Sequence, residues 1–367
     1  MIKEGKFGVY EAVCLVIIAI CNKIFSTTPG YVTRTIGTTG WYMTLISCTT
    51  AIAFFALIYL LLKRFPGKNI VEIYDASLGR VVGFVFSFLL MVSFLSSVGI
   101  YSREFTEIMK TYALPATPPS VIIGALIFTA SVAVFLGLET IARVAKLALY
   151  PALLGYFLIL LFSSEYFKLH NLFPILGYGL DKTVFTGILR ASAYDEVTIL
   201  AVFAGSLQGT AHIKKAGFIS LLLSGFIISL GLICFSLAFG YTSIQEITIV
   251  AYILTRSLKY GTFFQRLDPI FLLLWIITTT IYISILFYTT VSIYCKLFRL
   301  QDARPVAIPM AVLAVSIAII PKDFSSVLSV YVEGIRTYGN ITFFIMPAMA
   351  LIVAVIRKKK GESECAD

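Results

Sequence analysis

Three ionisable residues stand where a chain this apolar should carry none. Lys23 interrupts an apolar run that begins near residue 9, and Asp195 and Glu196 stand side by side inside another run at 184–208. A charge at bilayer mid-depth costs at least ~2.5–3.5 kcal/mol on the insertion scale. The cheapest arrangement pairs Lys23 with one of the two carboxylates. Such a pair can lock two helices together, contact a ligand, or do both, and a protonatable carboxylate there could couple protons. Polar side chains cluster with them in sequence: Asn22, Ser26 and Thr27 beside Lys23, and Tyr194 beside Asp195. Ser97 and Tyr101 are four apart and so share a helix face. Thr278, Thr279, Thr280, Tyr282 and Ser284 form a second hydroxyl-rich stretch. Hydroxyls within a span often bond only their own backbone carbonyls, so for this stretch backbone bonding and pocket lining both stand. Arg103, Glu104 and Glu107 fall toward the end of their run and read as interfacial, with pairing inside one helix sufficient to satisfy them.

The elements that must position these groups follow from composition. Of 367 residues, 59% are hydrophobic and 13% are charged. Soluble domains carry roughly a quarter charged residues. The apolar residues come in long runs, not on one helical face, and a helix apolar all round belongs in a membrane or a very large core. At about 20 residues per span, the spacing predicts helices at 9–36 (interrupted), 41–62, 81–110, 119–138, 142–163, 184–208 (interrupted), 216–240, 268–298, 305–321 and 339–356. The stretch 247–260 is amphipathic and too polar to span, and reads as a helix on the membrane surface. The fold class is therefore all-α and integral to the membrane. One polytopic domain covers 1–360, followed by a short charged tail at 361–367.

Lys and Arg set the expected orientation. Lys3, Lys6, Lys63, Arg64, Lys68, Arg80, Arg143, Lys146, Lys214, Lys215, Lys296, Arg299, Arg304 and the run from Arg357 to Lys360 fall on one side. The other side holds fewer, Arg336 among them. The richer side, with both termini, is expected to face the cytoplasm.

The two interruptions open successive groups of five helices. Interrupted spans at corresponding positions of two halves are a sequence pointer to a transporter-type binding site. The expected architecture is five helices inverted against five, with helices 1 and 6 broken. Lipid offers unpaired backbone groups no water, so a helix unwinds at mid-depth only around protein or a wet cavity. N–H groups exposed there attract anions, and carbonyls attract cations.

Several function classes drop out. The net charge of +10 is scattered among short loops, so nucleic acid is not an expected partner, whereas membrane lipid is. Cysteines Cys14, Cys21, Cys48, Cys234, Cys295 and Cys365 show no metal or disulfide spacing, and the two histidines are far apart. No cofactor or metal is expected. No GxSxG, Walker A or HExxH pattern occurs, so no enzyme is expected. Asp268 and Pro269 suit the first turn of a helix, a capping role for Asp268.

Four pieces of sequence carry a resemblance: Gly40-Trp41 after the proline-containing first helix; Asn171-Leu172-x-Pro174-x-Leu176-Gly177-x-Gly179 before the sixth; Glu196 in the sixth-helix break; and Arg266-Leu267-Asp268 followed by Trp275. On these the chain resembles the B subunit of spore nutrient germinant receptors, the spore germination permeases of the amino acid–polyamine–organocation superfamily. The resemblance implies a ten-helix, leucine-transporter-like fold in the spore inner membrane. It implies a subunit that senses a small-molecule nutrient, typically an amino acid, and triggers ion release and germination. The partners it implies are an A-type membrane subunit and a C-type lipoprotein subunit. The alternative is a proton-coupled amino acid or polyamine permease. One departure stands out: the family's first break is glycine-containing, whereas this chain has Asn22-Lys23-Ile24. The expectation is that Lys23 supplies positive charge there, to the ligand or to Glu196.

Overall fold

The computed structural model describes residues 7–207, 209–258 and 267–361. Arg266, Lys3, Lys6, Lys259 and Cys365 lie outside the described residues. All regular structure among the described residues is helical.

The first apolar run folds in two pieces. α1 (Val9–Cys21) is buried over most of its length. A tighter 3₁₀ turn, Asn22–Phe25, follows, and Ser26 is extended at φ −95, ψ −153. The chain restarts as α2 (Thr28–Ile36), with Pro29 in its first turn. A proline ring clashes with the carbonyl four residues back, so an unbroken helix through Phe25 and Pro29 is strained. A proline at a helix start has no such clash.

α3 (Gly40–Arg64) follows. The short α4 (Ile70–Leu78) is capped by Asn69, whose side chain accepts from the Val71 and Glu72 amides. α5 (Arg80–Tyr112) is the longest single helix, at 33 residues. α6 (Pro119–Leu136) and α7 (Leu138–Phe162) complete the first half. The second half opens with α8 (Leu180–Leu189), which gives way to a 3₁₀ stretch at Arg190–Thr198. Tyr194, at φ −117, ψ 18, is the point where that stretch leaves helical geometry. α9 (Ile199–Val202) follows directly. Then come α10 (Thr210–Ala238), α11 (Tyr241–Glu246), α12 (Val250–Ser257), α13 (Asp268–Leu297) and α14 (Arg304–Ile319). The last span strings together α15 (Phe324–Ser326), a wide π-turn at Val327–Val332, α16 (Glu333–Asn340), a second π-turn at Ile341–Ile345, and α17 (Met346–Ile356).

Among the described residues, seven helices are long and apolar enough to cross a membrane by length and composition. The broken elements and the shorter α14 lie among them. Outward faces are greasy: Val81, Phe128 and Leu147 are each more than 70% exposed. α1 packs at the centre against α7, α10 and α13. Close approach relies on small residues, as membrane helices require. A Cβ on Gly225 of α10 would sit 2.6 Å from Cys48 Sγ on α3.

Most boundaries fall within a few residues of expectation, and both interruptions appear where expected. The last span does not. It begins at Phe324, not at 339, and so draws Glu333 and Arg336 into the bundle. The amphipathic stretch expected at 247–260 corresponds to α12, whose apolar residues Val250, Ala251, Tyr252 and Leu254 are buried against the bundle. Asp268 is the first residue of α13 and is buried, in the first turn where the sequence places it.

The Asn171–Gly179 motif forms a cap over one end of the first span. Asn171 Nδ2 donates to the Leu237 carbonyl at 2.9 Å. The Tyr178 amide donates to the Ile36 carbonyl at 3.2 Å. Gly177 has φ +52, and a Cβ there would overlap the Ile36 carbonyl oxygen. Only glycine fits both demands. From α11, the Gln245 carbonyl accepts from Arg34 Nε at 2.6 Å, and Gln245 Nε2 donates to Tyr178 Oη at 2.8 Å.

Candidate functional site at the two helix breaks

Lys23 leaves the first break and reaches into the second. Its Nζ donates to the Ala193 carbonyl at 2.9 Å, to Asp195 Oδ1 at 3.1 Å and to Glu196 Oε2 at 2.7 Å. An ammonium has three N–H groups, and these contacts occupy all of them. The side chains are 5%, 8% and 2% exposed. Burial removes solvent screening, so the attraction is strong and loss of either partner is costly. The pairing expected with one carboxylate is observed with both. Ala193 adjoins Tyr194, where the 3₁₀ stretch leaves helical geometry.

The other polar residues tie the breaks to their surroundings. Asn22 Oδ1 accepts from Thr278 Oγ1 at 3.2 Å and Thr279 Oγ1 at 3.1 Å on α13. Tyr282 Oη donates to Glu196 Oε1 at 2.9 Å, so both carboxylate oxygens of Glu196 are engaged. The rings of Tyr101 and Tyr282 lie 5.6 Å apart. Ser26 Oγ donates to the Lys23 carbonyl at 2.9 Å and closes the first break. The Thr27 amide and hydroxyl both donate to Glu104 Oε1, at 3.3 and 2.5 Å. Tyr194 Oη is within 2.8 Å of Thr44 Oγ1 and pins the second break to α3.

Two cavities flank Lys23. One, of about 310 Å³, is lined by Asn22, Lys23, Ser26, Tyr101, Glu104, Phe105, Trp275, Thr279 and Tyr282 among others. The other, of about 440 Å³, runs from Lys23 past Thr28, Pro29, Thr44 and Ser47 to Arg190 and Arg336. Of the residues expected at the site, Asn22, Lys23, Ser26, Tyr101, Thr279 and Tyr282 line these spaces. Asp195, Glu196, Thr27 and Tyr194 stand behind the walls as anchors. Ser97 is buried but donates to its own helix, to the Ser93 carbonyl at 2.9 Å. Thr280 likewise bonds the Ile276 carbonyl. No group of three or more His, Cys, Asp or Glu residues able to hold a metal occurs among the described residues.

Comparisons with known proteins are specific. The family described as spore germination protein matches residues 7–327. The chain belongs to that family. Spore germination protein KB of Bacillus subtilis (strain 168) is 29% identical over 373 residues, covering 98% of this chain and 97% of that protein. Spore germination protein B2 of the same organism is 22% identical, covering 92% of each chain. Among solved structures, a Na+-coupled sialic acid symporter in a substrate-bound outward-open state superimposes with a TM-score of 0.67. It is 12% identical and covers 94% of this chain and 79% of the symporter. The fold is thus the transporter-like one expected, with the two broken helices face to face.

Two residues of this spore germination protein lie elsewhere than the sequence predicts. Glu104, expected at the interface, is 3% exposed, lines the first cavity and holds the start of α2. Its neighbours Arg103 and Glu107 do pair locally, at 2.8 Å. One helical position separates Arg103 from Glu104, enough to turn one toward α14 and the other inward. Arg336, expected in a loop, lies on α16, 2% exposed, at the second cavity. Glu333, one turn before it, pairs with Arg190 at 2.8 Å. A signal for the second of these is present in the sequence: Glu333 and Arg336 are three apart, and Arg190 stands inside an expected span.

Proposed function

We propose that this chain is the germinant-sensing membrane subunit of a spore germination receptor. A small nutrient, typically an amino acid, binds beside Lys23 where the two helix breaks meet. The observation that carries this reading is the buried Lys23–Asp195–Glu196 cluster, flanked by two cavities, in a member of the spore germination family. The bound ligand favours one helix packing over another, and only such a difference in affinity can shift the equilibrium. The shift triggers ion release and germination. Ten membrane crossings, both termini cytoplasmic, a spore inner membrane location, and A-type and C-type partner subunits complete the proposal.

The fold shared with a symporter favours a second reading, a proton-coupled amino acid or polyamine permease. One experiment separates the two. The purified chain is melted with each of the twenty amino acids, and the same chain in vesicles is given those labelled amino acids under a proton gradient. A sensor is stabilised by a nutrient without accumulating it. Robust accumulation by the chain alone establishes the permease. No stabilisation by any of them, together with a normal nutrient response from spores lacking the chain, overturns the sensing role.

A further inference from the structure

Arg336 is the charged residue near the breaks whose bonding capacity is left over. It is 2% exposed and shares one cavity wall with Lys23 and Arg190, and no carboxylate lines that cavity. Its Nε and Nη2 have no hydrogen-bonding partner among the described residues. The nearby carboxylates are already committed. Glu333 is held by Arg190, Asp195 and Glu196 by Lys23, and Glu104 by Thr27. Tyr101 is within hydrogen-bonding reach of the guanidinium, and Glu333 and Glu104 attract it from beyond ion-pair distance, so the open donors are Nε and Nη2. A buried guanidinium with open N–H groups is costly unless an acceptor meets it. Lys23 cannot take the same part, because its three N–H groups are occupied.

The geometry points to an anion subsite at Arg336, which receives the carboxylate of a small ligand whose apolar part lies against Val32, Met43, Ile228 and Leu232. These four side chains line the same cavity. The inference rests on the reading of that cavity as the ligand site, and it names the chemical group the site recognises. Adjacent Nε and Nη2 donors form the planar fork that matches two carboxylate oxygens. The site is also coupled to the second break. Ser192, inside that break, donates to the Arg336 carbonyl, so an anion drawn onto the guanidinium bears on both α16 and the break.

A free carboxylate and an inorganic anion share the required charge, and a matched probe set separates them. The purified full chain is melted in low-salt buffer with isovalerate, with isovaleramide, and with sodium chloride at matched ionic strength. Isovalerate is expected to raise the melting midpoint saturably, and the other two are not. Arg336→Gln abolishes the shift. Arg336→Lys, which keeps the charge and loses the fork, weakens isovalerate at least tenfold. If chloride stabilises equally and competes, the subsite serves inorganic anions and the carboxylate assignment is overturned. If isovalerate leaves the unaltered protein unchanged, water alone meets these N–H groups and the subsite is overturned. Unaltered isovalerate binding by Arg336→Gln overturns it as well. The germination role is tested separately, by the nutrient response of spores lacking the chain.

Discussion

Lys23 Nζ and Glu196 Oε2 meet at 2.7 Å across 173 positions of sequence, joining the point where the first span unwinds to the point where the sixth does. Both breaks are tighter 3₁₀ stretches in place of α-helix. The ion cluster and its hydroxyl neighbours set how the two halves sit against each other.

Lys23→Met therefore exposes two adjacent buried carboxylates to each other without a counter-charge. Loss of one partner of a buried pair costs about 3–5 kcal/mol. The purified protein is expected to melt markedly lower. A triple variant that also carries Asp195→Asn and Glu196→Gln should recover much of the loss, because the uncompensated charge is gone. Equal melting of Lys23→Met and the unaltered protein would show that the cluster does not hold the breaks.

Glu104→Ala leaves the Thr27 amide and hydroxyl without their acceptor. An orphaned buried donor costs about 1–3 kcal/mol. Hydrogen exchange at the first turn of α2 should accelerate, while exchange in α17, remote from the contact, stays as it was. Uniform acceleration across both helices would point instead to general destabilisation.

Arg190 and Glu333 form a bidentate pair, at 2.8 and 3.3 Å, with the guanidinium 4.9 Å from the Tyr31 ring. A double-mutant cycle with Arg190→Gln and Glu333→Gln should give a coupling energy of about 0.5–3 kcal/mol, the range for residues in direct contact. Additive single effects would mean that the last span is held by other contacts.

Gly177→Ala combines a left-handed backbone with overlap on the Ile36 carbonyl oxygen. Such a substitution destabilises by more than the ~1 kcal/mol that relieving glycine flexibility elsewhere gains. The expected consequence is a loosened cap. A cysteine reporter placed at Thr38, which donates to the Pro174 carbonyl, should label faster in the variant.

Long apolar runs such as those of α5 and α13 are legible in the sequence because composition alone places them in lipid and because their ends carry ordinary signals. Both breaks are legible for a related reason. Pro29 and the pair Asp195-Glu196 are too expensive in an unbroken membrane helix to be accidental. Which partners the breaks choose is readable only for Lys23, where charge leaves few options. Asn22 reaching Thr278 and Thr279, or Tyr282 reaching Glu196, depends on helix packing that one-dimensional spacing does not encode. Arg336 is hidden for a different reason. A charge in a window is normally read as the end of a span, yet Glu333 and Arg336 fall on one face of α16, directed inward, while Tyr338 on the same helix is 69% exposed. The Arg266 part of the fourth motif lies outside the described residues.

α16 is bounded at both ends by wide turns. Each such turn holds one residue more than an ordinary α-turn, and one residue corresponds to about 100° of rotation around a helix axis. Tightening one wide turn and widening the backbone elsewhere would swing the segment between them like a swivel between two collars, with every amide still bonded. The guanidinium of Arg336 would sweep toward or away from the hollow only by giving up the Glu333–Arg190 pair and the Ser192 bond that hold α16 in place.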